Sequence, residues 1–284
     1  MRSGRLFMRQ GKGALLVALV LVAVHVSHSR EPEKPESDSR SAQNLIDMAW
    51  HALDEEITEK NVDKAIKYLK MTLELDRDNH EVMVELADEY FFRGRLMPED
   101  SEENIKKAKE FYAKGKKYAA DALDIKDSAG AHYWYAANLG AMHKHNSIMR
   151  QASVFPDVAG HVKWVEENDP HYKYGVTARF WAGVVIASQP LVIDMMGRDP
   201  QQIFQDLEGE IKRAPGYVEN YVMMAKYLRH LEKPGEAVAT LEDALAIDPT
   251  ELSGEEAMNR YSQERARMFY REWTGKEYAK NEMD

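Results

Sequence analysis

The sequence contains no cysteine among its 284 residues. This absence excludes disulfide bonds, thiolate metal sites, cysteine nucleophiles and the lipid-modified cysteine of a lipoprotein. Proline and glycine are also scarce, at ten and sixteen residues, so long helices are permitted. Large apolar residues are not scarce, since 44% of the chain is hydrophobic and 30% is charged. The composition is therefore that of a folded globular protein rather than a disordered one.

Motifs of covalent, redox or nucleotide chemistry are absent as well. The sequence has no GxxxxGK[ST], no GxGxxG and no GxSxG. His143 and His145 are two residues apart and would point to different sides of a helix, so they cannot hold one metal ion there. We therefore expect no catalytic residue, no metal and no cofactor, and we predict that the protein is not an enzyme.

The first 29 residues have the three parts of a secretory signal. A basic start is followed by a short apolar run and by small residues near a candidate cleavage point (Arg2, Arg5, Arg9, Lys12; residues 14–24; Ser27, Ser29). The run is shorter than the roughly 20 residues that span a bilayer. We predict a signal peptide at 1–29 and export to the periplasm without a lipoprotein anchor. An uncleaved N-terminal anchor is the alternative.

The chain beyond residue 29 is acidic. The whole chain has 38 lysine and arginine residues against 48 aspartate and glutamate residues, and four of the basic residues lie within 1–29. The remainder therefore has 34 against 48, a net charge of −14. Such a surface repels phosphate groups, so nucleic acid is not an expected partner.

Residues 30–40 are charged, contain proline and lack large apolar side chains. They predict a disordered linker before a folded domain at 41–275, with a short C-terminal tail at 276–284.

The stretch from Glu219 to Thr250 has the pattern of a tetratricopeptide repeat. An aromatic residue opens a first helix, a Lys-Pro-Gly break follows, and a second helix has small, large and small residues before a proline (Tyr221; residues 233–235; Ala237, Leu241, Ala244; Pro249). Small side chains let two helices approach closely, and large ones fill the space between neighbouring hairpins.

Looser copies of this unit occur upstream, as in residues 63–79 and in the spacing of Gly115, Ala119 and Ala122. We count about five helix pairs and a final amphipathic helix from about 255 to 273. The predicted fold is all-α, a tetratricopeptide-like solenoid of helical hairpins with a C-terminal capping helix.

Aromatic residues concentrate in the centre of the chain. Trp134 falls on a packing position of the repeat, so most of this cluster is expected to be core. Adjacent residues of a helix cannot all point inward, which leaves some of them for a groove or a pore. The candidate ligand-binding or partner-binding residues are Tyr133, Tyr135, Asn138, Trp164, Phe180 and Trp181.

The central sequence resembles the T component of tripartite (TRAP-type) periplasmic transport systems. The features that carry the resemblance are a Trp-Tyr-x-Ala helix start, a long loop-helix passage, an Asp-Pro helix end and a Tyr-Gly helix start (residues 134–137, 146–156, 169–170 and 174–175). The resemblance extends over roughly residues 41–275. The same centre is partly shared with a family of eukaryotic regulators of microtubule dynamics.

The resemblance to T components implies a solenoid that assembles into a trimer with a central pore. It implies docking to a periplasmic solute-binding protein, with a small hydrophobic or carboxylate ligand. The expected function is thus that of a non-catalytic, exported accessory subunit of a TRAP-type transporter. The alternative is a general envelope scaffold that binds a peptide or a partner helix in its concave groove.

Overall fold

The computed structural model describes residues 36–54, 56–187 and 198–279, with side chains from residue 40 onwards. The predicted signal peptide at 1–29 lies outside the described residues. Eleven α-helices and no strand occur within the described ranges. In chain order they are α1 Glu36–Asp54, α2 Glu59–Leu75, α3 His80–Arg95, α4 Glu102–Ile125, α5 Ala129–His143, α6 Ile148–Asn168, α7 Val176–Ala187, α8 Pro200–Arg213, α9 Val218–His230, α10 Pro234–Ala246 and α11 Glu256–Thr274.

Consecutive helices pack as five hairpins: α1 with α2, α3 with α4, α5 with α6, α7 with α8, and α9 with α10. Each hairpin also touches the next, through α2–α3, α3–α5, α4–α5, α6–α7, α7–α9 and α8–α9. This nearest-neighbour stacking of helical hairpins defines a solenoid. The predicted all-α, tetratricopeptide-like class is confirmed.

Local sequence signals place the helix starts. The side chains of Thr58, Asn79, Ser101 and Ser128 each accept a hydrogen bond from the backbone N–H three residues later. These caps satisfy donors that a helix cannot satisfy itself, which typically stabilises it by about 1 kcal/mol each.

Small residues form the contacts between helices, as the repeat pattern predicts. Ala119 and Ala122 of α4 are fully buried, and Gly115 is buried beside them. A Cβ atom on Gly115 would overlap the Asn138 side chain of α5, so only glycine permits this approach. In the regular repeat, Ala237 and Leu241 are also fully buried.

Two segments singled out in the sequence have a defined conformation in the structure. The helix α1 is Glu36–Asp54, so its first five residues lie within the segment 30–40 for which the sequence predicts a disordered linker. Pro35 precedes this start in the sequence, and proline is well tolerated at a helix N-terminus because its missing N–H is not needed there. The passage at 146–156 is mostly helical, and Pro156 lies inside α6.

The last helix covers the end of the array, as predicted, by packing on α9 and α10. Phe269 and Trp273 lie against the apolar cluster that these two helices form. The same helix also reaches the first hairpin, because Arg260 donates a hydrogen bond of 2.9 Å to the carbonyl oxygen of Asp54. The two ends of the array therefore meet at α11.

Candidate functional site

The helix α11 lies across a face to which α3 and α9 contribute. Its Tyr261 ring meets Phe92 of α3 edge-on at 6.3 Å between centroids, and the Arg95 guanidinium lies 5.6 Å from the Tyr261 centroid. From α9, Glu219 faces Arg265 of α11. We call the surface formed by Phe92, Arg95 and Glu219 the inner face. In this structure it holds an amphipathic helix.

Glu219 is the electrostatic centre of the inner face. Its side chain is only 10% exposed, and its carboxylate oxygens lie 2.5 Å from Arg265 Nη1 and 3.6 Å from Arg95 Nη2. The hydroxyl of Ser262 donates a further hydrogen bond of 2.8 Å to it. Burial alone would raise the pKa of Glu219, but the charges of Arg265 and Arg95 outweigh it and lower the pKa to about 2. The carboxylate therefore stays ionised and links α3, α9 and α11.

A second group of charges on α3 faces the turn before α7. Glu85, Asp88 and Glu89, which we call the acidic cluster, lie three and four residues apart and so share one side of the helix. Lys173 Nζ donates a hydrogen bond of 2.8 Å to Asp88 Oδ2. Burial raises the pKa of Glu85 to about 7, and it raises the pKa of Glu89 well above its usual range. These carboxyls therefore hold protons at pH values where exposed ones do not.

Lys173 belongs to a strained turn. Lys173, Tyr174 and Gly175 have φ angles of 43°, 56° and 77°, a left-handed run in which two of the residues carry side chains. Arg179 of α7 clamps the turn, since its guanidinium donates hydrogen bonds of 2.6 and 2.7 Å to the carbonyl oxygens of Lys173 and Tyr174. Asn220 of α9 donates to Tyr174 as well, at 3.1 Å. The turn thus holds Lys173 against the acidic cluster.

The six residues predicted from the sequence do not form one site. Tyr133 lies within electrostatic reach of Arg95 and Glu219, and burial raises its pKa to about 12. Asn138 is fully buried in the core, where its Nδ2 donates to the carbonyl oxygens of Ala87 and Trp134. Of these two, only Tyr133 lies near the inner face.

Tyr135 and Trp164 lie together between α5 and α6. The Trp164 ring stacks on His132 at 4.1 Å, and the Tyr135 ring lies 4.3 Å from His161. Lys116 Nζ lies 5.3 Å from the Tyr135 centroid. This aromatic group is separate from the inner face.

The two histidines in that group form a short hydrogen-bonded chain. His132 Nδ1 and His161 Nδ1 are 2.7 Å apart, so one of them must donate a proton and the other accept it. His132 Nε2 lies 3.1 Å from an Asp127 oxygen, and His161 Nε2 lies 3.6 Å from an Asp157 oxygen. Burial and the neighbouring His132 lower the pKa of His161.

Phe180 and Trp181 lie at a third place, on α7. Trp181 is buried, and its Nε1 donates a hydrogen bond of 2.7 Å to Glu166 of α6. The Arg198 guanidinium stacks 4.0 Å from the Trp181 centroid and pairs with the same Glu166. Phe180 packs edge-on against Trp181 at 5.0 Å. Trp181 therefore has a core packing role like that of Trp134.

Sequence reasoning missed the charged residues of the inner face and the acidic cluster. A usable signal was present, because Arg179 is the only charged residue of α7 and the acids of α3 interrupt a run of apolar residues. A charged side chain in a helix with little polar surface is commonly buried and paired.

Two open pockets occur in the second half of the described chain. One of 340 Å³ has both apolar and acidic lining residues, which are Phe204, Glu208, Ile211, Tyr221, Met224, Leu228, Glu236, Ala239, Thr240 and Asp243. The other, of 420 Å³, is lined by His171, Tyr174, Arg213, Ala214, Pro215, Gly216, Glu251 and Leu252. Neither pocket includes any of the six predicted residues.

Two further properties hold for the described residues alone. No helix among them is long and apolar enough to cross a membrane. No group of three or more histidine, aspartate or glutamate side chains among them has the arrangement to hold a metal ion.

Comparison with known proteins gives a partial match to one family and a distant likeness to solved structures. The sequence profile of the family "Regulator of microtubule dynamics protein 1-3" matches residues 46–171, less than half of the chain. No curated protein matches the chain in sequence. Similar solved structures include the crystal structure of MamA protein, which is 17% identical with a TM-score of 0.37, over 78% of this chain and 96% of that one.

The family match covers part of α1 through α6 and ends before α7, the inner-face residue Glu219 and α11. The match is to the eukaryotic regulators of microtubule dynamics, the second family that the central sequence resembles. The resemblance to T components of TRAP-type systems stays a prediction.

Proposed function

We propose that this chain is a non-catalytic binding and assembly protein whose inner face holds an amphipathic helix. The observation that carries the proposal is α11, which occupies that face through Tyr261 and Arg265. Tetratricopeptide arrays use such faces for peptide and helix recognition. In the isolated chain, α11 takes the place of a partner helix.

The chemistry of α11 defines the kind of partner. Tyr261, Arg265, Phe269 and Trp273 recur every four residues and so form one stripe along the helix. Tyr261 meets an aromatic ring, Arg265 meets the buried Glu219, and the last two rings pack on the final hairpin. A partner helix with aromatic, arginine and aromatic residues at this spacing fits the same face and displaces α11.

The experiment is binding of a fluorescent peptide with the sequence of residues 255–275 to two double variants. Tyr261→Ala with Arg265→Ala removes the inner contacts of α11, whereas Arg267→Ala with Met268→Ala changes exposed positions of the same helix. We expect the first variant to bind the peptide in trans. The wild type and the second variant keep α11 in place and should not bind it.

A matched control peptide has alanine at the positions of Tyr261 and Arg265 and should bind neither variant. Circular dichroism establishes that both variants remain helical. A folded inner-face variant that fails to bind the peptide contradicts the proposal.

A transport accessory subunit is the second candidate. The observation that favours it is the exposure of Ile148 and Met149, which are 68% and 85% accessible within the stretch that resembles T components. Large apolar side chains in solvent are typical of assembly surfaces. On this proposal the exported chain forms a trimer that docks a periplasmic solute-binding protein and contacts a hydrophobic or carboxylate ligand.

Light scattering of residues 30–284 tests this candidate. A trimer that Ile148→Glu with Met149→Glu dissociates would support it. A monomer at all concentrations would leave helix binding on the inner face as the working function.

A further inference from the structure

The acidic cluster on α3 has more buried acceptors than the protein satisfies. Asp88 and Glu89 are 4% and 6% exposed, and Glu85 is half-buried. One oxygen of Asp88 accepts from Lys173, while its other oxygen, Oδ1, is buried and has no hydrogen-bond partner. Glu89 makes no hydrogen bond and no ion pair within the described residues. Buried carboxyls without partners are costly, and native structures contain few of them.

The titratable groups around the cluster are predominantly acidic. Besides its own three carboxyls, Glu81 on α3 and Glu255 at the start of α11 lie within electrostatic reach of its members. Lys173 is the only cation in the described part of the chain that hydrogen-bonds to the cluster. Burial raises the pKa of Glu255, and the charge of Arg179 partly offsets this rise. The Arg179 guanidinium, however, donates its hydrogen bonds to the adjacent turn and to Asn220, and Tyr172 is neutral.

We propose that the acidic cluster binds a primary ammonium group, which donates to Asp88 Oδ1, Glu89 and Glu85 beside Lys173. An ammonium group is compact and has three donors, which suits three carboxyls at successive positions on one side of a helix. A planar guanidinium binds a single carboxylate through two parallel hydrogen bonds, so it fits this arrangement less well. Within this group the half-buried Glu85 and the Lys173 side chain, which is 35% exposed, are the most accessible to solvent.

The ammonium group belongs either to a free amine or to a lysine side chain of a partner protein. The inference does not depend on helix binding by the inner face, because the cluster is present with α11 in place. It does carry a consequence for protons. Burial raises the pKa of Glu85 to about 7 and raises the pKa of Glu89 well above its usual range, and an arriving cation favours the ionised form of both. Binding therefore releases protons, and the affinity rises between pH 6 and pH 8.

Isothermal titration of the full chain tests the site with two probes, cadaverine and the peptide acetyl-Gly-Gly-Lys-Gly-Gly-amide. The titration is repeated in two buffers with different ionisation enthalpies, so that released protons are counted. Glu89→Gln has the shape of the protonated acid and should fold, yet it should weaken binding at least tenfold and abolish the proton release that Glu89 contributes. Glu110→Gln, at an exposed position of α4, is the matched control and should bind as the wild type does.

The probes distinguish the sources. Binding of the lysine peptide alone assigns the site to a partner's lysine, binding of cadaverine alone assigns it to a free amine, and binding of both shows that the ammonium group suffices. The proposal is overturned if neither probe binds, if Glu89→Gln binds with unchanged affinity, or if an arginine peptide of the same length binds as tightly. None of these results bears on the trans-peptide experiment with α11, so the two proposals fail independently.

Discussion

Replacing Glu219 with glutamine is the sharpest perturbation of the inner face. The change keeps the shape of the side chain and removes the negative charge that Arg265 and Arg95 share. Lys226 lies within electrostatic reach of Arg265 and Arg95. Burial and, to a smaller extent, the charge of Arg265 lower the pKa of Lys226. The variant therefore leaves two half-buried arginines near each other beside a lysine, with no acid between them.

The magnitude follows from the ionisation of Glu219. Its pKa falls from 4.5 in the unfolded chain to about 2 in the folded one, and each tenfold change in an ionisation constant is about 1.4 kcal/mol. The ion pairs thus contribute about 3 kcal/mol, which agrees with the roughly 3–5 kcal/mol cost of removing one partner of a buried pair. We expect Glu219→Gln to lower the unfolding free energy by about 3 kcal/mol at pH 7, and the melting temperature by roughly 6–12 °C.

The pH dependence gives a second measure of the same effect. A carboxyl with a depressed pKa stabilises the fold above its unfolded pKa and loses this effect as pH falls from about 4.5 towards 2. The wild type and Glu219→Gln should therefore converge in stability near pH 2 and differ fully above pH 5. Urea unfolding at several pH values measures both curves. A difference below about 0.5 kcal/mol at pH 7 would refute the central role of Glu219.

Three other substitutions test separate parts of the structure. Glu85→Gln should stabilise the protein by about 1–2 kcal/mol at pH 8 and leave it unchanged at pH 4. Burial raises the pKa of Glu85 from 4.5 to about 7, so ionisation of this carboxyl above pH 4.5 opposes folding. Urea unfolding at both pH values measures the effect, and an equal effect at both would argue against this reasoning. Gly175→Ala should cost at least about 2 kcal/mol, because φ is 77° and the new Cβ would overlap Glu210, whereas Gly183→Ala in α7 has open space and should gain about 0.5 kcal/mol. Thermal unfolding compares these two glycines, and similar melting temperatures would count against a strained turn. The wild type should lose stability below pH 6.5 because His161, with its lowered pKa in the folded protein, binds protons more readily in the unfolded chain. His161→Gln should lose less stability over the same range. Melting temperatures that change in parallel from pH 7.5 to 5.5 would contradict this.

The hairpin array could be predicted because its determinants are local. Ala237, Leu241 and Ala244 follow the spacing of the repeat, and all three are fully buried where the pattern placed them. The final helix was predicted at about 255 to 273 and is observed at Glu256–Thr274. Small residues at close contacts and amphipathic periodicity determine such helices whatever the curvature of the whole array.

The site could not be predicted in the same way, because it depends on how far the array curves. The Arg260–Asp54 hydrogen bond joins residues 206 positions apart in the sequence, and no local sequence pattern indicates a contact over that separation. Aromatic residues drew attention to the centre of the chain, yet Asn138 and Trp181 are core residues there. The residues that meet α11 are charged ones such as Glu219, whose partners come from distant helices.

The helix α11 occupies the inner face and joins the two ends of the array. Since the chain has no native cysteine, Asp54→Cys with Arg260→Cys provides one specific pair of thiols at two exposed positions. A short bismaleimide, added at low protein concentration, should cross-link this pair within one molecule, while Lys163→Cys with Arg260→Cys serves as the control pair. We expect rapid intramolecular cross-linking of residues 54 and 260 and little for the control. Equal cross-linking of both pairs, or cross-links only between molecules, would contradict it.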